Sequence, residues 1–246
     1  MKSLLLRGML VGLVAGLLSV LFAHTFGEPQ VDKAIAFESS QSAATSEPEA
    51  MDPVRRDVQS TVGLGVGGVV YGIAFGGIFA VAFAIANGRL RVGARPTAGL
   101  LGIVGLVVVY VVPNLKYPAN PPSIGSPDTI GRRTALYFTL VVGSVLLAVA
   151  ANLLGRKLSA RLGAWNASTT AVLGYLVAAF VFALLMPGVN EVPNAFSATL
   201  LWRFRIAAFG TQVVLWSTMA LLFGFLTERS LASDASRDKR LAFAAR

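Results

Sequence analysis

The chain has no cysteine and a single histidine. Disulfides, thiolate metal sites and iron–sulfur ligation are thereby excluded, and one histidine leaves no credible Ser–His–Asp set. No Walker phosphate loop is present either, so the chain is not the ATPase of a transporter. Charge is also scarce: Asp, Glu, Lys and Arg make up 13% of the residues, against about 25% in an average soluble domain. What fills the chain is apolar, 55% of the 246 residues, with a mean hydropathy of +0.69. A soluble core of this size cannot hide so much apolar surface, which makes this an all-α integral membrane protein without a catalytic set.

Six windows are long and apolar enough to cross about 30 Å of hydrocarbon as helices. They cover residues 8–26, 62–86, 97–113, 135–154, 169–186 and 206–226. The third and fifth end at Pro113 and Pro187, natural exits because proline lacks an N–H. With the N-terminus inside, the inner side collects 13 of the 21 Lys and Arg residues, and the outer side 9 of the 12 acids. The positive-inside rule then gives six spans with both termini cytoplasmic, and it explains the net charge of +9 without nucleic acid. The first window is retained rather than cleaved, because it exceeds a signal-peptide core and no small-x-small site follows "LFAHTF".

Residues 30–60 form the largest polar connector. Its middle, "ESSQSAATSEPEAMDP", has little to bury and reads as a flexible outer loop. Residues 228–246 read as a cytoplasmic tail, and the whole chain as one membrane domain.

Glycines recur every four residues on one face of each of the first two windows: Gly8, Gly12 and Gly16, then Gly68, Gly72 and Gly76. That spacing lets helix backbones approach closely in lipid. "GLGVGG" also matches a dinucleotide-binding pattern at Gly63, Gly65 and Gly68, but no strand precedes it and no acid follows at the required distance. "NAS" at Asn166 falls on the cytoplasmic side and is discounted as a glycosylation site.

Chemistry, if any, belongs to the outward ends of the spans. His24 and Glu28 are four apart and share a face if the helix continues. An imidazole and a carboxylate form part of a shell for Co²⁺, Ni²⁺ or Zn²⁺, though the same pair also suits a capped helix end. Asp32, Asn114, Asn120, Asn190 and Glu191 complete such a shell if the outer loops converge. Glu191, flanked by Pro187, Gly188 and Pro193, is a functional candidate at the membrane boundary or a partner for Arg203 or Arg205. Trp165, Trp202 and Trp216 read mostly as interface anchors.

Three stretches carry a family resemblance: "LLLRGMLVGLVAGLLSVLFAHTFGEPQVDKAIAFE", "VPNLKYPANPPSIGSPDTIGRRTALY" and "MPGVNEVPNAFSATLLWRFRIAAFGTQVVLW". In this order they resemble the CbtA-type cobalt transporter subunits, from the N-terminus to about Trp216. The resemblance implies a small polytopic subunit of a cobalt uptake system in a prokaryotic inner membrane. It implies a short CbtB-type partner with one span and a histidine-rich end, and a link to cobalamin-dependent regulation. Co²⁺ would be cargo rather than a tightly bound cofactor. The motifs "HTFGEP", "YPANPP" and "NEVP" fall on His24, Glu28, Tyr117, Pro118, Asn120, Asn190 and Glu191, with His24 and Glu28 first among candidate metal ligands. A non-transporting scaffold or assembly subunit, with the outer loops used for docking, is the competing expectation.

Overall fold

The computed structural model describes residues 2–45, 54–90, 92–122 and 124–244, and every regular element among them is helical. Helix α1 (Lys2–Phe22) passes through a π turn (Ala23–Gly27) into α2 (Glu28–Thr45). A short α3 (Arg56–Val58) leads through a second π turn (Gln59–Gly63) into α4 (Leu64–Ala86). Helix α5 (Ala94–Gly105) continues through a third π segment (Leu106–Val111) into α6 (Val112–Lys116). Helices α7 (Ile130–Leu185) and α8 (Ala198–Ala244) complete the chain.

Two boundaries differ from the sequence reading for one physical reason. The first helix does not stop near 26, and the third does not stop at Pro113. Each proline is the second residue after a π segment, Pro29 after Ala23–Gly27 and Pro113 after Leu106–Val111. A proline inside an α ladder lacks one N–H and pushes its ring at the carbonyl four residues back. The wider π turn absorbs that defect, and the helix runs on. Residues 30–45, expected to be loop, are therefore helical to Thr45, while 46–53 lie outside the described residues.

Five helical segments, rather than six, are long and apolar enough to cross a membrane. The difference lies in α7, which merges the fourth and fifth windows. Inside it Gly163 adopts φ 76° and ψ 163°, a conformation open essentially to glycine alone. Beyond that point the chain comes back on itself: Ser144 Oγ and Tyr175 Oη lie 2.8 Å apart, and a methyl on Gly155 would stand 3.0 Å from Ala171 Cβ. Helix α7 is thus a helical hairpin with two antiparallel arms.

The densest packing lies between α1 and α4. Gly8 faces Gly76, Gly12 faces Gly72 and Gly16 faces Gly68. A methyl at Gly16 would come within 2.6 Å of the Gly68 carbonyl oxygen, and one at Gly72 within 2.7 Å of Gly16 Cα. Only bare backbone fits, and in lipid such close van der Waals contact is the main source of helix association. Helix α8 closes the other side, burying Leu215, Met219 and Phe223 with Phe79 and Phe83 of α4. Phe223 packs edge-on to both rings, with centroids 5.4 and 5.0 Å away. The α7 hairpin is peripheral and leans on Val108 through Tyr175 and Ala179.

Candidate functional site

The contacts between α1 and α4 continue beyond the glycines in steps of four residues on both sides of the seam. His24 lies opposite Ser60, and Glu28 opposite Arg56. Two π turns face each other across this stretch, so the extra width on one helix is matched on the other and the register holds. The last rungs of a packing seam are thereby converted into polar pairs.

His24 is exposed, and its Nδ1 lies 3.1 Å from the Ser60 carbonyl oxygen. A carbonyl can only accept, so this contact needs the proton on Nδ1, the tautomer that leaves the Nε2 lone pair of a neutral imidazole bare. An imidazole held through Nδ1–H to a backbone carbonyl is the arrangement that orients a metal-binding histidine.

Glu28 is ion-paired with Arg56, and the same guanidinium donates to Asp32 Oδ1 from Nη2 at 3.0 Å and from Nε at 3.1 Å. The side chains of Glu28 and Arg56 are 15% and 29% exposed, whereas Asp32 is 63% exposed. Glu28–Arg56 is thus the half-buried part of the cluster, and Asp32 is its solvated flank. Arg56 supplies the positive charge between two carboxylates next to the histidine. The sequence reading does not single it out, although Arg56 and Ser60 continue the four-residue step of Gly68, Gly72 and Gly76 backwards along the chain.

A second cluster forms where the long loops meet. Glu191 Oε2 accepts from the Ser126 N–H at 3.0 Å and the Thr129 hydroxyl at 2.8 Å, and Arg133 Nε stands 3.5 Å away. Arg133 also donates to the carbonyls of Ile124 and Ser126, both at 3.3 Å. The Thr129 hydroxyl above all, helped by the Ser126 N–H and the charges of Arg133 and Arg132, holds the Glu191 carboxyl below the ordinary glutamate range against desolvation, the second-largest effect. The pair encloses Gly125, at φ 103°, where a methyl would meet Arg133 Nη1 at 2.5 Å and Glu191 Oε2 at 2.6 Å. Glu191 thus pairs with Arg133 rather than with Arg203 or Arg205, and it fastens a turn.

Asn120 is engaged too, its Oδ1 accepting from Arg205 Nη2 at 2.9 Å, while Arg205 Nε reaches the Ala119 carbonyl at 3.2 Å. Asn114 Oδ1 accepts from the Ala119 N–H at 3.1 Å. Tyr117 donates to the Pro187 carbonyl at 2.8 Å. Asn190 is exposed. The loops do converge: Ile124 and Phe196 pack with Ala34 of α2, and Phe37 meets Phe196 edge-on at 5.0 Å. What converges is apolar, however. Among the described residues no three of His, Asp and Glu come together in a way that could hold a metal ion.

A bundle of apolar helices, with its polar side chains crowded at the loop-bearing end, defines a polytopic membrane protein. The family described as "Probable cobalt transporter subunit (CbtA)" matches residues 1–228, and the chain belongs to it. As a member of a transporter subunit family, it implies a partner. No curated protein and no solved structure matches the chain.

Proposed function

We propose that this chain is a carrier, not an enzyme, and takes Co²⁺ or a related divalent ion across the prokaryotic inner membrane. In this reading α7 crosses twice at its Gly163 reversal, giving six crossings with both termini cytoplasmic and the His24 end outside. The single observation that carries the site is the Nδ1–H bond of His24 to Ser60, which leaves Nε2 free as a ligand. Glu28 and Asp32 are the nearby carboxylates, and Arg56 is the resident positive charge that an arriving cation displaces. Since no three-ligand group forms among the described residues, the shell closes with donors from a small histidine-rich partner of the CbtB type. Glu191, Asn190 and Asn120 support the entrance as loop residues.

Radiolabelled Co²⁺ uptake in cells expressing the chain and its partner tests this. His24→Ala and Glu28→Gln are expected to lower uptake at least tenfold at low Co²⁺, with unchanged protein level in the membrane. Uptake equal to wild type in both variants rejects the site. The second reading, a non-transporting assembly subunit, is favoured by the engagement of Glu28 with Arg56. It predicts that both variants transport normally and only removal of the whole chain abolishes uptake.

A further inference from the structure

The α7 hairpin is the least embedded part of the bundle. In the most apolar stretches of the first and last spans 33% is buried, and in that of α7 only 11%. The bundle holds its arms through Ser144, which donates to the Val108 carbonyl at 2.8 Å. The Tyr175 hydroxyl, 2.8 Å from Ser144 Oγ, is left to donate to it. So slight a contact leaves the far end of the hairpin, around Gly163, to be held by something else.

That end is basic and has no counter-charge of its own. No Asp or Glu occurs between Asp128 and Glu191. Arg156, Lys157 and Arg161 are all exposed, and among the described residues none of their side chains has an ion-pair or hydrogen-bond partner. By contrast Arg7, Arg89 and Arg95 are engaged, by the Thr227 hydroxyl, the Ile85 carbonyl and Glu228. Lys157 stands four residues after Leu153 and four before Arg161, so the three share one stripe of the first arm. Leu153 and its neighbour Leu154 are 53% and 50% exposed. Gly163 turns the chain back, which brings Trp165, 82% exposed, to the same end. From Ile130 to Leu162 the first arm is about 50 Å long, well beyond the ~30 Å of hydrocarbon. Its last turns therefore leave the hydrocarbon in a fixed order: exposed leucines, then cations, then an indole. That is the order of groups that suits a headgroup layer.

We propose that the tip of the α7 hairpin is a binding surface for anionic lipid headgroups. Arg156, Lys157 and Arg161 meet the phosphates, and Trp165 sits in the interface beside them. This rests on the double crossing of α7 and is independent of cobalt transport. Cations left without protein partners are drawn to the acidic lipids of the leaflet they face, and guanidinium groups bind phosphate through paired N–H donors. The lipid then secures the tip, while Ser144 and Tyr175 hold the arms within the membrane.

The chain has no cysteine, so Leu153→Cys in the full chain takes a single bimane label. Leu184→Cys, 63% exposed at the other end of the hairpin, takes the control label. Each is placed in vesicles of phosphatidylcholine with about one-fifth phosphatidylglycerol, brominated on either the anionic or the neutral lipid. Brominated phosphatidylglycerol is expected to quench the Leu153 label with at least about threefold higher relative affinity than brominated phosphatidylcholine. Arg156→Gln/Lys157→Gln/Arg161→Gln should bring the two lipids to equality there, and the Leu184 label should show no preference in either chain. Equal quenching at Leu153 in the chain with its basic tip, or a preference that survives in the triple variant, overturns the proposal. The same preference at Leu184 assigns it to net charge rather than to the tip and overturns it as well. Inorganic phosphate at constant ionic strength should leave the preference intact; its loss would make free phosphate the ligand and refute a lipid anchor. Quenching of the Leu153 label by neither lipid is a separate result: it takes the arm out of the bilayer and refutes the double crossing of α7, and the anchor with it.

Discussion

Helices α1 and α4 are joined twice, by different chemistry at their two ends. Over three rungs, from Gly8–Gly76 to Gly16–Gly68, the contact is backbone on backbone with no room for a methyl group. Two rungs further on, His24–Ser60 and Glu28–Arg56 keep the same four-residue step with polar side chains between wider π turns. The glycine part fixes where the two helices lie, and the polar part uses that fixed register to place an imidazole and a carboxylate. In lipid, dispersion and close approach hold helices together. A polar pair at the membrane edge is then free to serve chemistry, because the glycine seam already sets the register.

Breaking the glycine part should have the largest effect. Gly72→Leu forces α1 and α4 apart and is expected to remove folded protein from the membrane fraction. Gly72→Ala overpacks the same contact and costs about 1–3 kcal/mol, read as a lowered thermal midpoint in detergent. Normal expression and midpoint of both variants would contradict close packing at this seam.

At the polar end the effect is smaller and depends on cations. Arg56→Ala leaves the half-buried Glu28 carboxylate without its positive partner, at about 1–3 kcal/mol. Added Co²⁺ is expected to recover part of that stability in Arg56→Ala and none in Arg56→Ala/Glu28→Ala. An equal response of both variants to Co²⁺ would separate Glu28 from cation binding.

The smallest effect belongs to the loops. The Glu191 carboxyl is held below its ordinary range, so its contribution is complete above the ordinary glutamate range and is lost as pH falls through the lowered value. Glu191→Gln should flatten the acid side of the stability-versus-pH curve and leave the neutral region almost unchanged. An acid limb of the same steepness in the variant would assign that pH dependence to other groups.

The sequence made the helices and the glycine faces legible because each is a local, periodic signal. Hydropathy located the apolar windows, and a four-residue repeat marked Gly8 to Gly16 and Gly68 to Gly76. Two kinds of feature were not legible. Pro113 read as a stop and the first window closed at Phe26, yet each helix widens into a π turn and runs on, an outcome that depends on neighbours packed alongside. Arg56 read only as one more outer charge, because its pairing with Glu28 joins residues 28 apart across a connector. Glu191 was marked by its flanking prolines and glycine, but its partner Arg133 stands in the first turn of α7, after a different loop.

The presence of one histidine allows a decisive measurement. In protein labelled with ¹⁵N-histidine and purified in lipid, the two ring nitrogens of His24 give the only imidazole signals, and their shifts report which nitrogen carries the proton. A protonated Nδ1 and a bare Nε2 are expected in the neutral ring, with the Nε2 signal broadened first as paramagnetic Co²⁺ is added. A neutral ring protonated at Nε2, or signals indifferent to Co²⁺, would contradict a seam whose polar end presents His24 to a metal ion.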